Sequence, residues 1–173
     1  MKFELMAFAS YSVEIGIYFA MITREELHRN RLFREFDDHE LDMVRLVAEE
    51  INFEDGDLIL VEGEPGKRLY MIVSGRCSVT TQISGTGTEE IKLLEENEFF
   101  GEMSLIEAAP ISASVYARGK CRLMWIDRKA FDRLIDQDMP IANKLLKAII
   151  LAFCERVRDT MEKMQSYYRM SKF

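Results

Sequence analysis

The chain has 173 residues, is 48% apolar and carries a formal net charge of -7. That length supports one well-buried core with helical appendages rather than two independent domains. Acidic residues are scattered throughout and no basic face stands out, which argues against a nucleic-acid-binding surface.

The three cysteines, Cys77, Cys121 and Cys154, are odd in number and lack CxxC spacing, so neither a disulfide framework nor a zinc site is expected and a reducing cytoplasm fits best. Only His28 and His39 supply imidazoles. Both fall in an N-terminal helical region and read as structural or surface residues, leaving no His-rich metal centre and no Ser-His-Asp relay. The stretch from Met1 to Ile22 is apolar, but Glu4 and Glu14 interrupt it, no basic segment beyond Lys2 precedes it and no cleavage site follows. It is expected to be a packing or dimer-contact helix, with no membrane span.

Thr23 with Glu26 makes a capping-box pattern that predicts a helix start, and Asp37 with Glu40 repeats it. Leu41, Val44, Val47 and Ile51 then recur at helical spacing and predict an amphipathic helix with Asp42, Arg45 and Glu49 turned outward. From Phe53 the texture changes to short apolar runs broken by glycine. The predicted strands are Leu58 to Val61, Arg68 to Val73, Cys77 to Ile83, Glu90 to Leu94, Ser112 to Ala117 and Cys121 to Asp127, with Gly63, Gly66, Gly75, Gly85 and Gly87 at turns. Many short strands of this kind indicate a barrel or jelly roll rather than a βαβ layout. Asp127 is placed to cap a turn carrying Phe131 and Leu134. Asp138 and Pro140 open a long helix to about Gln165, striped by Ile141, Leu145, Ala148, Ile149, Ala152 and Phe153. That stripe is read as covering the roll and as a dimer seam.

The fold class is therefore α+β, mainly β: an antiparallel β-roll or jelly roll with N-terminal helices and a long C-terminal helix. Its divisions are an extension over 1–29, the roll over 30–136, and the helix with its tail over 137–173.

The segment FGEMSLIEAAPISASV, Phe100 to Val115, interrupts the strands with a short helix-forming stretch between Gly101 and Pro110. A helix opened by glycine presents free backbone N–H groups to an anion, and a carboxylate at Glu102 can accept hydrogen bonds from a sugar hydroxyl. Phe100, Met103, Leu105 and Ile106 would serve as core residues in any such roll, and Ser112 and Ser114 as solvated strand residues. Glu102 inside an apolar run is costly to bury without hydrogen bonds, so it either caps local N–H groups or reads a ligand.

On its glycine framework and on this insertion, roughly residues 30 to 160 resemble the cyclic-nucleotide-binding domain, the sensor of catabolite-activator-type regulators, kinase regulatory subunits and nucleotide-gated channels. The insertion then corresponds to the family's phosphate-binding cassette. Phe100, Gly101 and Glu102 match it, as do Pro110, Ser112, Ala113, Ser114 and Val115. The resemblance implies a ligand site at Phe100, Gly101, Glu102, Met103, Ser104, Ile111, Ser112, Ala113 and Ser114, with no metal and no catalytic residue. Ile111 stands where the family has the arginine that pairs with the cyclic phosphate. Loss of a charged contact worth roughly 1.5–3 kcal/mol weakens binding by about ten- to a hundredfold. Arg118 and Lys67 are the neighbouring cations that could compensate.

The expected role is that of a non-enzymatic cytoplasmic ligand sensor, with cAMP or cGMP at most a weak ligand and no other cofactor. It is expected to be a homodimer through the C-terminal helix whose occupancy is read by a protein effector. The competing expectation is a roll that has lost its ligand and serves as a dimerisation or docking scaffold. A cupin-like metalloenzyme is set aside because the predicted β region contains no histidine.

Overall fold

The computed structural model describes residues 22–85 and 87–170. The expected helix over Met1 to Ile22 lies, except for Ile22 itself, outside them. The order of elements is α1 (Arg24–Arg29), α2 (Asp38–Arg45), β1 (Glu49–Phe53), β2 (Leu58–Leu60), β3 (Arg68–Ile83), β4 (Gly87–Leu94), β5 (Phe99–Phe100), α3 (Glu102–Glu107), β6 (Ser114–Asp127), α4 (Arg128–Gln137) and α5 (Met139–Met170).

Both capping boxes form. The Thr23 and Asp37 side chains accept from the backbone N–H of Glu26 and Glu40, whose carboxylates accept in return from the cap N–H groups. The second helix is shorter than its apolar spacing suggests. It ends at Leu46, and Ile51 pairs with Leu123 in a strand instead. Helical and strand spacings share positions over so short a run, and pairing with a long neighbouring strand decides the outcome.

All strands pair antiparallel. The sheet runs β1-β6-β3-β4, with β2 on β6 and β5 on β3. Two predicted pairs of strands are single long strands: β3 passes through Gly75 and β6 through Gly119, each with positive φ, and the register between them slips here. These glycines make bulges that curl the sheet rather than hairpin turns. At Gly75 a Cβ would lie 2.5 Å from the Lys120 carbonyl oxygen, so close approach as well as backbone angle requires glycine.

Alternation along the central strands feeds two cores. Leu69, Met71, Phe99, Met124 and Ile126 face the helices, packing with Phe33, Leu41, Phe131, Leu145 and Ile149. Their neighbours Tyr70, Ile72, Phe100 and Leu123 face into the roll with Cys77, Leu94 and Val115. Burial on both faces explains why these strands read as unbroken apolar runs.

Asp127 caps α4 through the Ala130 N–H, and the Asp138 carboxylate accepts from the Ile141 N–H at 3.0 Å to open α5. Lys144 to Glu40 at 2.6 Å, Lys147 to Glu35 at 2.8 Å and Arg31 to Glu155 at 2.7 Å tie α5 to the N-terminal helical segment. Among the described residues no helix is long and apolar enough to cross a membrane.

Candidate functional site

Gly101 sets the site's geometry. Its φ of +87° turns the chain from β5 into α3, and a Cβ there would meet the Arg68 carbonyl oxygen at 2.5 Å. The short helix that follows lies beside β3 and closes at Ala108, which also has positive φ. The segment between α3 and β6 is clamped to the β2–β3 turn by two backbone hydrogen bonds, Ile111 N–H to the Glu64 carbonyl and Gly63 N–H to the Ile111 carbonyl, each 2.8 Å. Pro65 and Pro110 bridge beside them.

Between this insertion, β3, β4 and the outer half of α5 lies a cavity of about 950 Å³. Of the nine residues expected at the site, Phe100, Gly101, Glu102, Met103, Ser104, Ile111, Ser112 and Ala113 line it. Ser114 is not among the lining residues, and its hydroxyl accepts from the Glu62 N–H at 3.0 Å. Ser104 donates to the Gly101 carbonyl at 3.3 Å, and Ser112 points to the Met103 sulfur at 3.8 Å. Ile111 is buried, close against Gly66.

Glu102 is 2% exposed. One of its carboxylate oxygens pairs with Arg156 of α5, which also donates to the Phe99 carbonyl at 2.8 Å and lies 5.4 Å from the centroid of the Phe99 ring. The other oxygen, Oε2, is buried without a hydrogen-bond partner. A buried carboxylate oxygen with no donor is an unsatisfied acceptor.

Arg118 and Lys67, the expected sources of compensating charge, do not line the cavity. Arg118 pairs with Glu90 at 3.0 Å. A hydrogen bond from Ser78 and this guanidinium hold the Glu90 carboxyl below the usual range. Sequence reasoning missed Arg156, Thr160 and Lys163, all on α5 and all lining the cavity. A signal was present. Ile149, Ala152 and Arg156 continue one helical stripe, so a cation there falls on the buried face and requires a partner. Neither histidine approaches the site; His28 and His39 are exposed on α1 and α2.

The family model for the cyclic nucleotide-binding domain matches residues 50–138, more than half of the chain. The chain belongs to this family. The domain is 33% identical over 119 residues to a cAMP-dependent protein kinase regulatory subunit of Dictyostelium discoideum, a match covering 65% of this chain and 36% of that protein. The corresponding subunit of Mucor circinelloides f. lusitanicus is 29% identical over 113 residues, covering 65% and 26%. The chain thus spans between a quarter and about a third of the length of these curated relatives. Among solved structures, a cyclic nucleotide-binding domain from Methylobacillus flagellatus matches with a TM-score of 0.74 at 26% identity, covering 84% of this chain and 82% of that one. The regulatory domain of Toxoplasma gondii PKA, crystallised with cAMP, matches with a TM-score of 0.58 at 28% identity, covering 63% and 41%. The mainly β roll with a long C-terminal helix is the fold that these domains share.

Proposed function

We propose that the domain is a non-enzymatic ligand sensor whose cavity, between the α3 insertion and α5, is the regulatory site, and that cyclic nucleotides bind it weakly. The observation that carries this reading is the Arg156–Glu102 pair. It joins the insertion to the helix that leaves the roll, so a molecule settling between them changes how the two pack. Because α5 is also tied to the N-terminal helical segment through Glu35, Glu40 and Arg31, its displacement is transmitted to that segment. The ligand contacts are assigned to Phe100, Gly101, Glu102, Met103, Ser104, Ile111, Ser112 and Ala113, with Arg156 added; Ser114, held by the Glu62 N–H outside the cavity, is left out.

Weak cyclic-nucleotide binding follows from Ile111. An anion placed beside it finds a buried apolar side chain instead of a guanidinium, a difference of about 1.5–3 kcal/mol. Calorimetric titration of cAMP and cGMP into the unaltered chain and into Ile111→Arg tests this. A gain of about tenfold or more is expected in the variant, whereas submicromolar binding by the unaltered chain would refute the weakened site.

The outer half of α5 supports a homodimer. Ile150, Cys154, Val157, Met161 and Met164 follow one another at intervals of four, three, four and three residues, and all are exposed. That spacing suits a coiled-coil seam with a second copy of the same helix. A soluble protein effector, placed in the cytoplasm with it, would read the position of α5, as suits a domain similar to kinase regulatory subunits. Ile111 by itself favours the alternative of a scaffold with no small-molecule ligand, and the titrations separate the two.

A further inference from the structure

We infer that the groove between the α1–α2 turn and the first half of α5 is a docking surface for an acidic segment of a protein partner that also carries apolar side chains. This rests on the reading above that an effector follows the position of α5, and it names the surface and the chemistry that the effector presents.

Four cations line the groove, Arg31, Arg34, Lys144 and Lys147, against two carboxylates, Glu35 and Glu155. That balance is the reverse of the chain's, whose formal net charge is -7. Lys144 is committed to Glu40, which is buried and outside the groove. The other three can be reached. Lys147 meets Glu35 at 2.8 Å and Arg31 meets Glu155 at 2.7 Å, but these four side chains are between 41% and 59% exposed, so water screens both pairs and an incoming carboxylate exchanges for them at little cost. Arg34 is exposed and makes no ion pair among the described residues.

The floor between these charges is apolar. Leu32, Ala148 and Ala152 form it, and Leu151 at its rim is 54% exposed. At about 100° per residue, Leu151 stands roughly a quarter-turn from Ile150 and the seam proposed for a second copy, so both faces of α5 can be occupied together. The groove's size selects the kind of occupant. About 140 Å³ is too little to enclose a nucleotide-sized molecule and is the space of one or two side chains. A protein segment that lays an apolar side chain against Leu151 and Ala148, with carboxylates toward Arg34 and Lys147, meets both features at once. Arg34 belongs to the N-terminal helical segment and Lys147 to α5. Such a segment therefore bridges the two elements whose relative position the sensor changes, and its affinity follows that position.

Fluorescence anisotropy on the full chain tests this with a labelled peptide of about 16 residues, Leu at every third or fourth position and Glu at the rest, beside the same peptide with Gln for Glu. The acidic peptide is expected to bind at least about tenfold more tightly than the Gln peptide, and to weaken as salt is raised. The double variant Arg34→Glu/Lys147→Gln, checked for an intact melting transition, should weaken it about tenfold or more, whereas Val157→Ser on the seam face should leave it unchanged. Equal binding of both peptides, an unaffected double variant, loss through Val157→Ser, or silence up to millimolar concentration would each overturn the docking inference. Phosphatidylserine vesicles that sediment the chain but not the double variant, where the peptide is silent, would assign the groove to a membrane surface and overturn it likewise. The cAMP and cGMP titrations of the unaltered chain and of Ile111→Arg are independent of all these outcomes and decide the sensor reading separately.

Discussion

Removing Arg156 should destabilise the domain more than removing the acid it serves. Glu102 is 2% exposed, whereas the Arg156 side chain is 29% exposed. Arg156→Ala thus leaves a buried carboxylate with neither oxygen partnered and also strips the Phe99 carbonyl of its donor. Breaking a fully buried pair costs about 3–5 kcal/mol, and the partial access of water at Arg156 lowers this to about 2–4 kcal/mol. The lost cation–π contact with Phe99 adds about 0.5–1 kcal/mol. For a chain of this length the total is a fall in Tm of roughly 5–20 °C. Glu102→Gln leaves only a cation that water can reach, and should cost about 1 kcal/mol. The double variant Glu102→Gln/Arg156→Ala should be more stable than Arg156→Ala alone, because the orphaned charge is gone. Urea unfolding at neutral pH, with equal m-values confirming comparable unfolding, measures all four forms. An Arg156→Ala variant within about 0.5 kcal/mol of the parent, or a double variant less stable than that single one, would refute the account of Glu102 as a buried, Arg-dependent charge.

Gly66→Ala should loosen the insertion by about 1–3 kcal/mol, since the added Cβ would sit 1.9 Å from the Ser104 Oγ and 2.4 Å from its Cβ. Ser104→Gly in the same chain should recover part of the loss in a thermal melt, and no recovery would show that the clash lies elsewhere. Burial raises the Glu26 carboxyl, but hydrogen bonds from Arg122 and Thr23 outweigh it, and Glu26 ends below its usual range; Arg24 lowers Asp42, the Glu40 N–H lowers Asp37, and Ser78 with Arg118 lowers Glu90. The unfolded chain therefore takes up protons first as pH falls, so stability should be flat from pH 7 to about 5 and then decline through and below the ordinary carboxylate range near 4. A decline already complete above pH 5.5 would assign acid sensitivity to other groups. Burial, together with neighbouring Cys121, pushes the Cys77 thiol up, whereas Cys154 is exposed on α5, within the proposed seam. Thiol reagents should accordingly label Cys154 alone in the native protein. Mild oxidation should yield a covalent dimer that Cys154→Ser abolishes, and a sedimenting dimer that never cross-links through Cys154 would refute a parallel seam.

The fold was largely legible because its signals are local. Capping boxes at Thr23 and Asp37, the Asp127 and Asp138 helix starts, and alternating apolar strands each depend on a handful of neighbouring residues. Misreadings arose where one residue type serves two purposes. Gly75 reads as a turn and is a bulge, because a positive φ satisfies either and only the presence of β6 alongside determines which. Ile51 fits a helical stripe and an extended strand equally well, and pairing with Leu123 settles it.

The site was legible on one wall only. The run from Phe100 to Ser114 carries its own glycine and its own spacing, so eight of its nine expected residues meet at the cavity. The opposite wall belongs to a helix more than fifty positions further along, and nothing near Glu102 in sequence announces that Arg156 is its partner. Two oddities nonetheless pointed at each other: an acid within an apolar insertion and a base on the apolar stripe of a helix. Each is costly to bury by itself, and each becomes tolerable when the other is supplied. Arg118 and Lys67 do not line the cavity, and desolvation penalises Glu102, not Ile111. The cation answers the buried carboxylate, and α5 is the element that brings it there.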